Sequence, residues 1–187
     1  PDNLIGPLIC AGFGAMASLT IISAPTISIE AKTLWISQSL PVRGKDVLLA
    51  KADVHILMSL PFIVISAILL EFTFDMTIIS RIMILLFPLV VTIFNAYTGV
   101  ALNLNYPKFD WVNETDAVKQ GVAPFLAMFI AMATVALPVL LYAFLLSDLV
   151  SAEIYLCIVF QAFAAASAVL YRYLVTKGAE IFRTLQN

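Results

Sequence analysis

Charged side chains are scarce in this chain. Lys, Arg, Asp and Glu make up 12% of its 187 residues, whereas soluble domains carry about 25%. Hydrophobic residues make up 62%, and the mean hydropathy is +1.02. A water-soluble fold needs more polar surface than this composition supplies, so we expect an integral membrane protein in contact with a lipid bilayer. The net charge of −2 argues against a nucleic-acid partner.

Residues that build metal and catalytic sites are also few. The chain has one His, and its two cysteines, Cys10 and Cys157, stand far apart in apolar runs, which gives no metal-ligand or disulfide pattern. No Gly-rich loop ending in Lys-Ser or Lys-Thr occurs, so a phosphate-binding loop of that type is excluded. A membrane-embedded enzyme would cluster His, Asp or Glu at one depth. We therefore expect no metal, no other cofactor and no enzymatic activity in this chain.

Long apolar runs are what the sequence does contain. A helix needs about 20 apolar residues to cross the bilayer, and helices satisfy their own backbone groups in lipid. We therefore predict an all-α, polytopic transmembrane bundle that forms one domain over residues 1–187. The predicted spans are residues 4–23, 47–70, 76–102, 121–146 and 154–175.

Basic residues separate the two ends of the predicted bundle. Lys and Arg follow the first, third and fifth spans, whereas the loops after the second and fourth spans carry only acidic charges. Because cytoplasmic loops are rich in Lys and Arg, we expect the N-terminus outside and the C-terminus in the cytoplasm. Arg81 is the exception, and we expect it either to snorkel outward or to pair with Glu71 or Asp75. A start outside also indicates that a further span precedes this chain.

The first cytoplasmic loop carries the signals of a short amphipathic helix. Ser28 can cap it, Glu30 suits its first turn, and the residue before Pro41 disfavours its continuation. Its mostly apolar face consists of Ala31, Leu34, Trp35 and Gln38. Such a helix either rests among lipid headgroups or docks into a groove on a soluble partner.

The second cytoplasmic element covers residues 103–119. Pro107 is expected to end the third span, and Asn113 to cap the helix leading into the fourth, with Asp116 at its third position. This element either braces the first loop or touches a partner, or it is a plain membrane-surface loop.

Polar side chains inside the spans have two readings. Thr92, Asn95 and Gln161 either line a translocation path or form hydrogen bonds between helices. Asp53 and His55 lie near the inner end of the second span, where they form a proton relay or the histidine is simply hydrogen-bonded.

Both cytoplasmic elements carry a family resemblance. The stretches "EAKTLWISQSLPVRGKDVLLAK" and "LNLNYPKFDWVNETDAVKQG" resemble the cytoplasmic signatures of ABC-2-type exporter permeases of Gram-positive bacteria. The chain departs from the pattern at Ala31, where the family has Gly, and at Gln38, where it has Lys.

The resemblance implies a permease subunit of an exporter in the bacterial plasma membrane. ATP and Mg²⁺ would then be bound by a separate cytoplasmic ABC ATPase, and another permease half or a second copy would complete the transporter. The chain would be the C-terminal part of a longer permease, and its first loop the coupling helix. The implied ATPase-docking residues are Glu30, Lys32, Leu34, Trp35, Gln38, Leu40 and Pro41. The alternative is an ion-coupled secondary transporter, which needs ionisable residues at mid-membrane, where no acidic residue is expected.

Labelling from the two sides of the membrane tests the predicted orientation. In a protein whose Cys10 and Cys157 are replaced by alanine, a Ser37→Cys variant should react with a membrane-impermeant maleimide only after the cells are opened. A Ser147→Cys variant, altered beside Asp148, should react in intact cells. Reaction of the Ser37→Cys protein in intact cells would show that the orientation is reversed.

Overall fold

The computed structural model describes residues 4–185, which form helices joined by short connections, with no strand in that range. A 3₁₀ turn, Ala31–Thr33, joins α2 to α3, and π-helical turns at Tyr142–Leu146 and Leu174–Gly178 extend α7 and α8. The α-helices are α1 (Ile5–Ser18), α2 (Thr26–Ile29), α3 (Leu34–Ser39), α4 (Gly44–Thr73), α5 (Ile78–Asn105), α6 (Glu114–Lys119), α7 (Val122–Leu141), α8 (Ala152–Tyr173) and α9 (Ala179–Thr184).

Four helical stretches within residues 4–185 are long and apolar enough to cross a membrane. They are Gly44–Thr73, Ile78–Asn105, Glu114–Leu146 and Ala152–Thr184. These stretches correspond to the second to fifth predicted spans, so the predicted all-α, polytopic fold is confirmed. The fourth predicted span is preceded by a separate short helix, because Gln120 and Gly121 interrupt the path from α6 to α7.

The first predicted span, residues 4–23, is wrong in its extent. Its helix, α1, ends at Ser18 after 14 residues and is therefore about 21 Å long, short of the ~30 Å of hydrocarbon. The hydroxyls of Ser18 and Thr20 donate to the backbone carbonyls of Ala15 and Ala17. These side-chain hydrogen bonds compete with the backbone bonds that would continue the helix. The chain then runs irregularly through residues 19–25 before α2 begins.

Helix α5 is the centre of the bundle. It packs against α1, α4, α7 and α8 and carries buried residues along most of its length. Two large apolar clusters form around it, one beside Phe87 and Val91 and the other beside Val100 and Leu104. The helices around α5 therefore pack their inner faces on it. Their outer faces carry many exposed apolar side chains.

The two ends of the bundle differ in charge, and we name them for it. The basic end contains the contacting segments 26–51, 103–119 and 174–185, and the acidic end contains the loops after α4 and α7. At the acidic end Arg81 pairs with Glu71 at 3.0 Å, so the predicted ion pair is confirmed. The hydroxyl of Thr77 donates to Glu153 and joins the two acidic loops.

Two glycines of α1 test how closely this helix packs on α5. A Cβ at position 14 would lie 2.5 Å from Cε1 of the buried Phe87 ring, so Gly14→Ala should lower the free energy of unfolding by about 1–3 kcal/mol. A Cβ at position 12 would meet no atom within 4 Å, so Gly12→Ala should be neutral or raise stability by up to about 1 kcal/mol. Thermal unfolding in detergent measures both. Equal stability of the two variants would contradict the packing of α1 on Phe87.

Candidate functional site at the basic end

The predicted coupling helix is not one continuous helix. Its chain is divided into α2, the 3₁₀ turn and α3, which we together call the docking segment, residues 26–40. Ser28 does not cap a helix, which corrects the prediction. It lies buried inside α2, and its Oγ accepts hydrogen bonds from the Asn103 side chain at 2.6 Å and from the Lys108 backbone N–H at 2.9 Å. The predicted end is confirmed, since Leu40 is extended before Pro41.

The predicted apolar stripe of the docking segment is divided between two environments. Ala31 and Leu34 are each 1% exposed and belong to the protein core. Trp35 is 64% exposed and Leu40 is 52% exposed. Helix α3 therefore anchors itself through Leu34 and presents Trp35 outward. The docking surface, as we use the term, consists of the exposed apolar residues Trp35, Ile36, Leu40 and Val42.

Two charged residues of the docking segment have partners inside the chain. Glu30 forms an ion pair with Lys51 of α4 at 2.6 Å, and the Lys51 side chain is only 7% exposed. The ammonium group of Lys32 lies 4.5 Å from the centre of the Trp111 ring, a cation–π contact. Both residues were predicted to face a partner. The structure gives each of them a role in holding the segment to the bundle.

Gln38 joins the docking segment to the C-terminal helix. Its side-chain amide donates to the backbone carbonyls of Phe182 at 2.9 Å and Leu185 at 3.0 Å. Beside it, α9 approaches the start of α4 closely, since a Cβ on Gly44 would lie 2.9 Å from the Ala179 carbonyl oxygen. The glutamine thus connects α3 with the end of the long helical stretch that begins with α8.

Asn103 and Trp111 hold the segment from the other side. The side-chain oxygen of Asn103 accepts from the backbone N–H groups of Ile27 at 2.7 Å and Ser28 at 3.0 Å. The indole of Trp111 donates to the Ser28 carbonyl at 2.6 Å. The segment 103–119 therefore braces the docking segment, which confirms one of its predicted readings.

The local helix signals of the second element are also confirmed. Helix α5 ends at Asn105, before Pro107, and Asn113 with Asp116 forms the capping box of α6. The bracing role of Asn103 was not predicted from the sequence. The available signal was an amide side chain at the end of an otherwise apolar span.

His55 belongs to a buried network at the break after α1. Its ring is fully buried, with Nε2 3.0 Å from the Thr20 hydroxyl and Nδ1 3.0 Å from the Ser23 hydroxyl. The Thr20 hydroxyl also donates to the Ala17 carbonyl, and the Ser23 hydroxyl is placed to donate to the Asn95 carbonyl at 3.5 Å. Which ring nitrogen donates is set by the tautomer of His55. Asp53, two residues away on α4, is exposed and outside this network. The histidine is thus hydrogen-bonded to hydroxyls and not paired with the aspartate.

The residues proposed for a translocation path do not meet in one cavity. Thr92 is buried and donates to the Pro88 carbonyl at 2.8 Å. Asn95 is buried and its amide lies 3.4 Å from the Ser18 carbonyl at the end of α1. Gln161 is exposed on α8. Thr92 and Asn95 therefore stabilise the interior of the bundle, while Gln161 lies on its outer surface.

The described part of the chain contains no cluster of side chains that could bind a metal ion. Among residues 4–185 no three His, Cys, Asp or Glu side chains are close enough together to hold a metal ion. The arrangement at the basic end consists instead of hydrogen bonds and ion pairs that position a surface.

Long apolar helices around one central helix define a multi-pass helical membrane protein, an architecture that transporters use. The chain belongs to the family described as "Membrane protein of 12 TMs", whose model matches residues 9–177. No curated protein and no solved structure matches it. The matched region includes segments 26–51 and 103–119 of the basic end.

Two neighbouring asparagines test the brace at Ser28. Asn103→Ala removes the acceptor of two buried backbone N–H groups, so the free energy of unfolding should fall by about 1–3 kcal/mol. Asn105→Ala removes a more exposed amide bonded to its own helix and to Tyr173, and should cost less than about 1 kcal/mol. Thermal unfolding in detergent compares them. An Asn103 variant as stable as the Asn105 variant would contradict the bracing role.

Proposed function

We propose that the chain is part of the permease of an ABC-2-type exporter, driven by a separate cytoplasmic ABC ATPase. The resemblance of both basic-end motifs to that family supports this function, and so does the bundle of apolar helices. The basic end would face the cytoplasm of a bacterial cell, and another permease half or a second copy would complete the transporter.

One observation carries the proposal. The docking segment is exposed on one side, through Trp35, and held on its other side by contacts to three long helical stretches. Those contacts are Glu30 to Lys51 of α4, Ser28 to Asn103 of α5, and Gln38 to the backbone of α9. A surface with an aromatic anchor and a rigid base suits a docking partner. A helix that only rested among headgroups would not require such a base.

The mechanism follows from these connections. ATP-driven closure of two ATPase subunits would push on the docking surface of each permease half. The displacement would reach α4 through the Glu30–Lys51 pair and the longer helix α8 through Gln38 and α9. Movement of these helices about the central α5 would change the side of the membrane to which the pathway opens. The ATP and Mg²⁺ chemistry would belong to the ATPase.

Ion-coupled secondary transport is the alternative, and the His55 network favours it. A buried histidine beside an interrupted helix is a feature that proton-coupled transporters use. The two functions differ in their energy source. Transport that requires ATP hydrolysis and persists without a proton gradient supports the exporter, and the reverse supports ion coupling.

Replacement of Trp35 tests the docking function. Trp35→Asp should weaken co-purification of the full-length protein with the proposed ABC ATPase partner by about 30-fold, because a central tryptophan contributes about 2 kcal/mol or more at an interface. Leu34 is unsuitable for this test, since it is 1% exposed and its replacement by Asp would disrupt the core.

Leu149→Asp is the matched control for this experiment. Leu149 is a large apolar residue, 76% exposed, at the acidic end, so replacing it with Asp should leave the ATPase bound. Normal membrane insertion of both variants is checked by the cysteine labelling described above. An ATPase that stays bound to the Trp35→Asp protein would contradict the docking function. It would favour the alternative interpretation, in which the segment rests among lipid headgroups.

A further inference from the structure

A polar cavity of about 320 Å³ lies at the acidic end, among the first turns of α1, α5 and α8. This volume is within the range of small-molecule sites, about 300–1,000 Å³. Its lining includes three charged side chains, those of Asp75, Arg81 and Glu153, and two hydroxyls, those of Thr77 and Ser80. Charges of both signs and hydroxyls around one space suit a small polar ligand.

Close contacts between the three helices hold the walls of this cavity in place. A Cβ on Gly6 would collide with the Ser80 side chain, so the start of α1 lies directly against α5. Thr77 caps α5 by accepting a hydrogen bond from the Ser80 backbone N–H. The Thr77 hydroxyl donates to Glu153 and joins α5 to the first turn of α8. The cavity is therefore part of the packing of the bundle.

The charges of the lining do not balance. Arg81 is the only basic residue among the described lining residues, and it is already paired with Glu71 at 3.0 Å. Asp75 is exposed and forms no hydrogen bond or ion pair with any described residue. Glu153 receives the neutral hydroxyl of Thr77. Two carboxylates of the lining therefore have no positive partner of their own within the described residues.

The lining restricts the chemistry of the ligand. Two carboxylates favour a positive charge, and their oxygens form charge-assisted hydrogen bonds with N–H donors. Quaternary ammonium groups, which have no N–H, are recognised by aromatic faces, and no aromatic side chain is among the described lining residues. In residues 4–185 no three acidic, His or Cys side chains are close enough to hold a metal ion. A primary ammonium group therefore fits the lining best.

The cavity borders the surface that contacts lipid. Phe74 and Ile78, which flank the loop segment of the lining, are 39% and 72% exposed. Large exposed apolar side chains at the end of two spans mark the boundary of the bilayer. Both a dissolved amine and the amino headgroup of a lipid reach this position.

We propose that this cavity binds a molecule that carries a primary ammonium group, held by hydrogen bonds to the carboxylates of Asp75 and Glu153. The site goes beyond the exporter function and does not rest on it, because the proposed ATPase docks at the opposite end of the bundle. Loss of amine binding and loss of ATPase binding are therefore separate results.

Binding of ethanolamine to the full-length protein in phosphatidylcholine nanodiscs tests the site by isothermal titration calorimetry. Choline is the matched control ligand, since it has the same charge and hydroxyl but no N–H donor. Ethanolamine should bind at least about tenfold more tightly than choline, because it alone donates charge-assisted hydrogen bonds. Equal affinity of the two cations would overturn the proposal.

A second arm separates the two sources of the amine. The protein is placed in nanodiscs with equal amounts of phosphatidylethanolamine and phosphatidylcholine, and native mass spectrometry counts the lipids that stay bound. Selective retention of phosphatidylethanolamine without ethanolamine binding assigns the ammonium group to a lipid headgroup. Ethanolamine binding without selective retention assigns it to a dissolved amine. Neither binding nor selective retention would overturn the proposal.

Asp75→Asn isolates one of the two carboxylates. The change keeps the size of the side chain and should weaken binding of the retained amine about ten- to a hundredfold, the range for loss of one charged hydrogen bond. Stability should be unchanged, because Asp75 has no partner among the described residues. Unaltered amine binding by this variant would overturn the role of Asp75.

Asp148→Asn is the matched control variant. Asp148 is exposed in the other acidic loop and lies outside the described lining of the cavity, so this protein should bind the amine like the unaltered one. Equal weakening by Asp148→Asn and Asp75→Asn would show that cations are attracted to the acidic end in general, and would overturn the assignment of the site to this cavity.

Glu153→Gln tests the second carboxylate. The amide oxygen can still accept the Thr77 hydroxyl, so the contact between α5 and α8 is kept while the charge is lost. This variant should weaken amine binding to about the same extent as Asp75→Asn. Unchanged binding would overturn the role of Glu153.

Discussion

The structure depends on how an interrupted helix satisfies its backbone inside an apolar environment. After Ser18 the backbone leaves the regular helical hydrogen-bonding pattern. Lipid hydrocarbon offers no donors or acceptors to replace those bonds. Side chains of α4 and α5 supply what is missing. Asn95 approaches the last carbonyl of α1, His55 holds the hydroxyls of Thr20 and Ser23, and Asn103 receives the first N–H groups of α2. Asn95, His55 and Asn103 are therefore best explained as partners of the break.

The position of the docking segment follows from the same constraint. Ser28 is the last residue held by Asn103, and it also bonds Trp111 and Lys108. The chain therefore leaves the bundle at a defined place and direction. The Glu30–Lys51 pair continues this attachment to α4. A segment held this closely moves with the helices beneath it, which is the property that a coupling element requires.

A cavity between α1 and α4, lined among others by Met16, Met58 and Phe62, has the same origin. Because α1 ends early, its last turns and the irregular residues 19–22 form one wall, and the middle of α4 forms the other. One interruption thus gives the protein a space that opens toward the bilayer and a segment fixed at the basic end. The two features lie on opposite sides of the His55 network.

Composition and local chemistry were enough to determine the class of protein, its four long spans and several helix ends. Apolar runs predict spans wherever lipid is the solvent, and Pro41, Pro107 and the Asn113 cap act on their immediate neighbours. The end of α1 at Ser18 was decided only by the tertiary structure, because residues 4–23 contain no charged side chain and the partners of the break lie far along the chain. The same holds for the inward Leu34 and the outward Trp35. The spacing of the two residues is compatible with both lying on one apolar face of a helix. Only the contacts with α4, α5 and α9 decide which of the two side chains is buried.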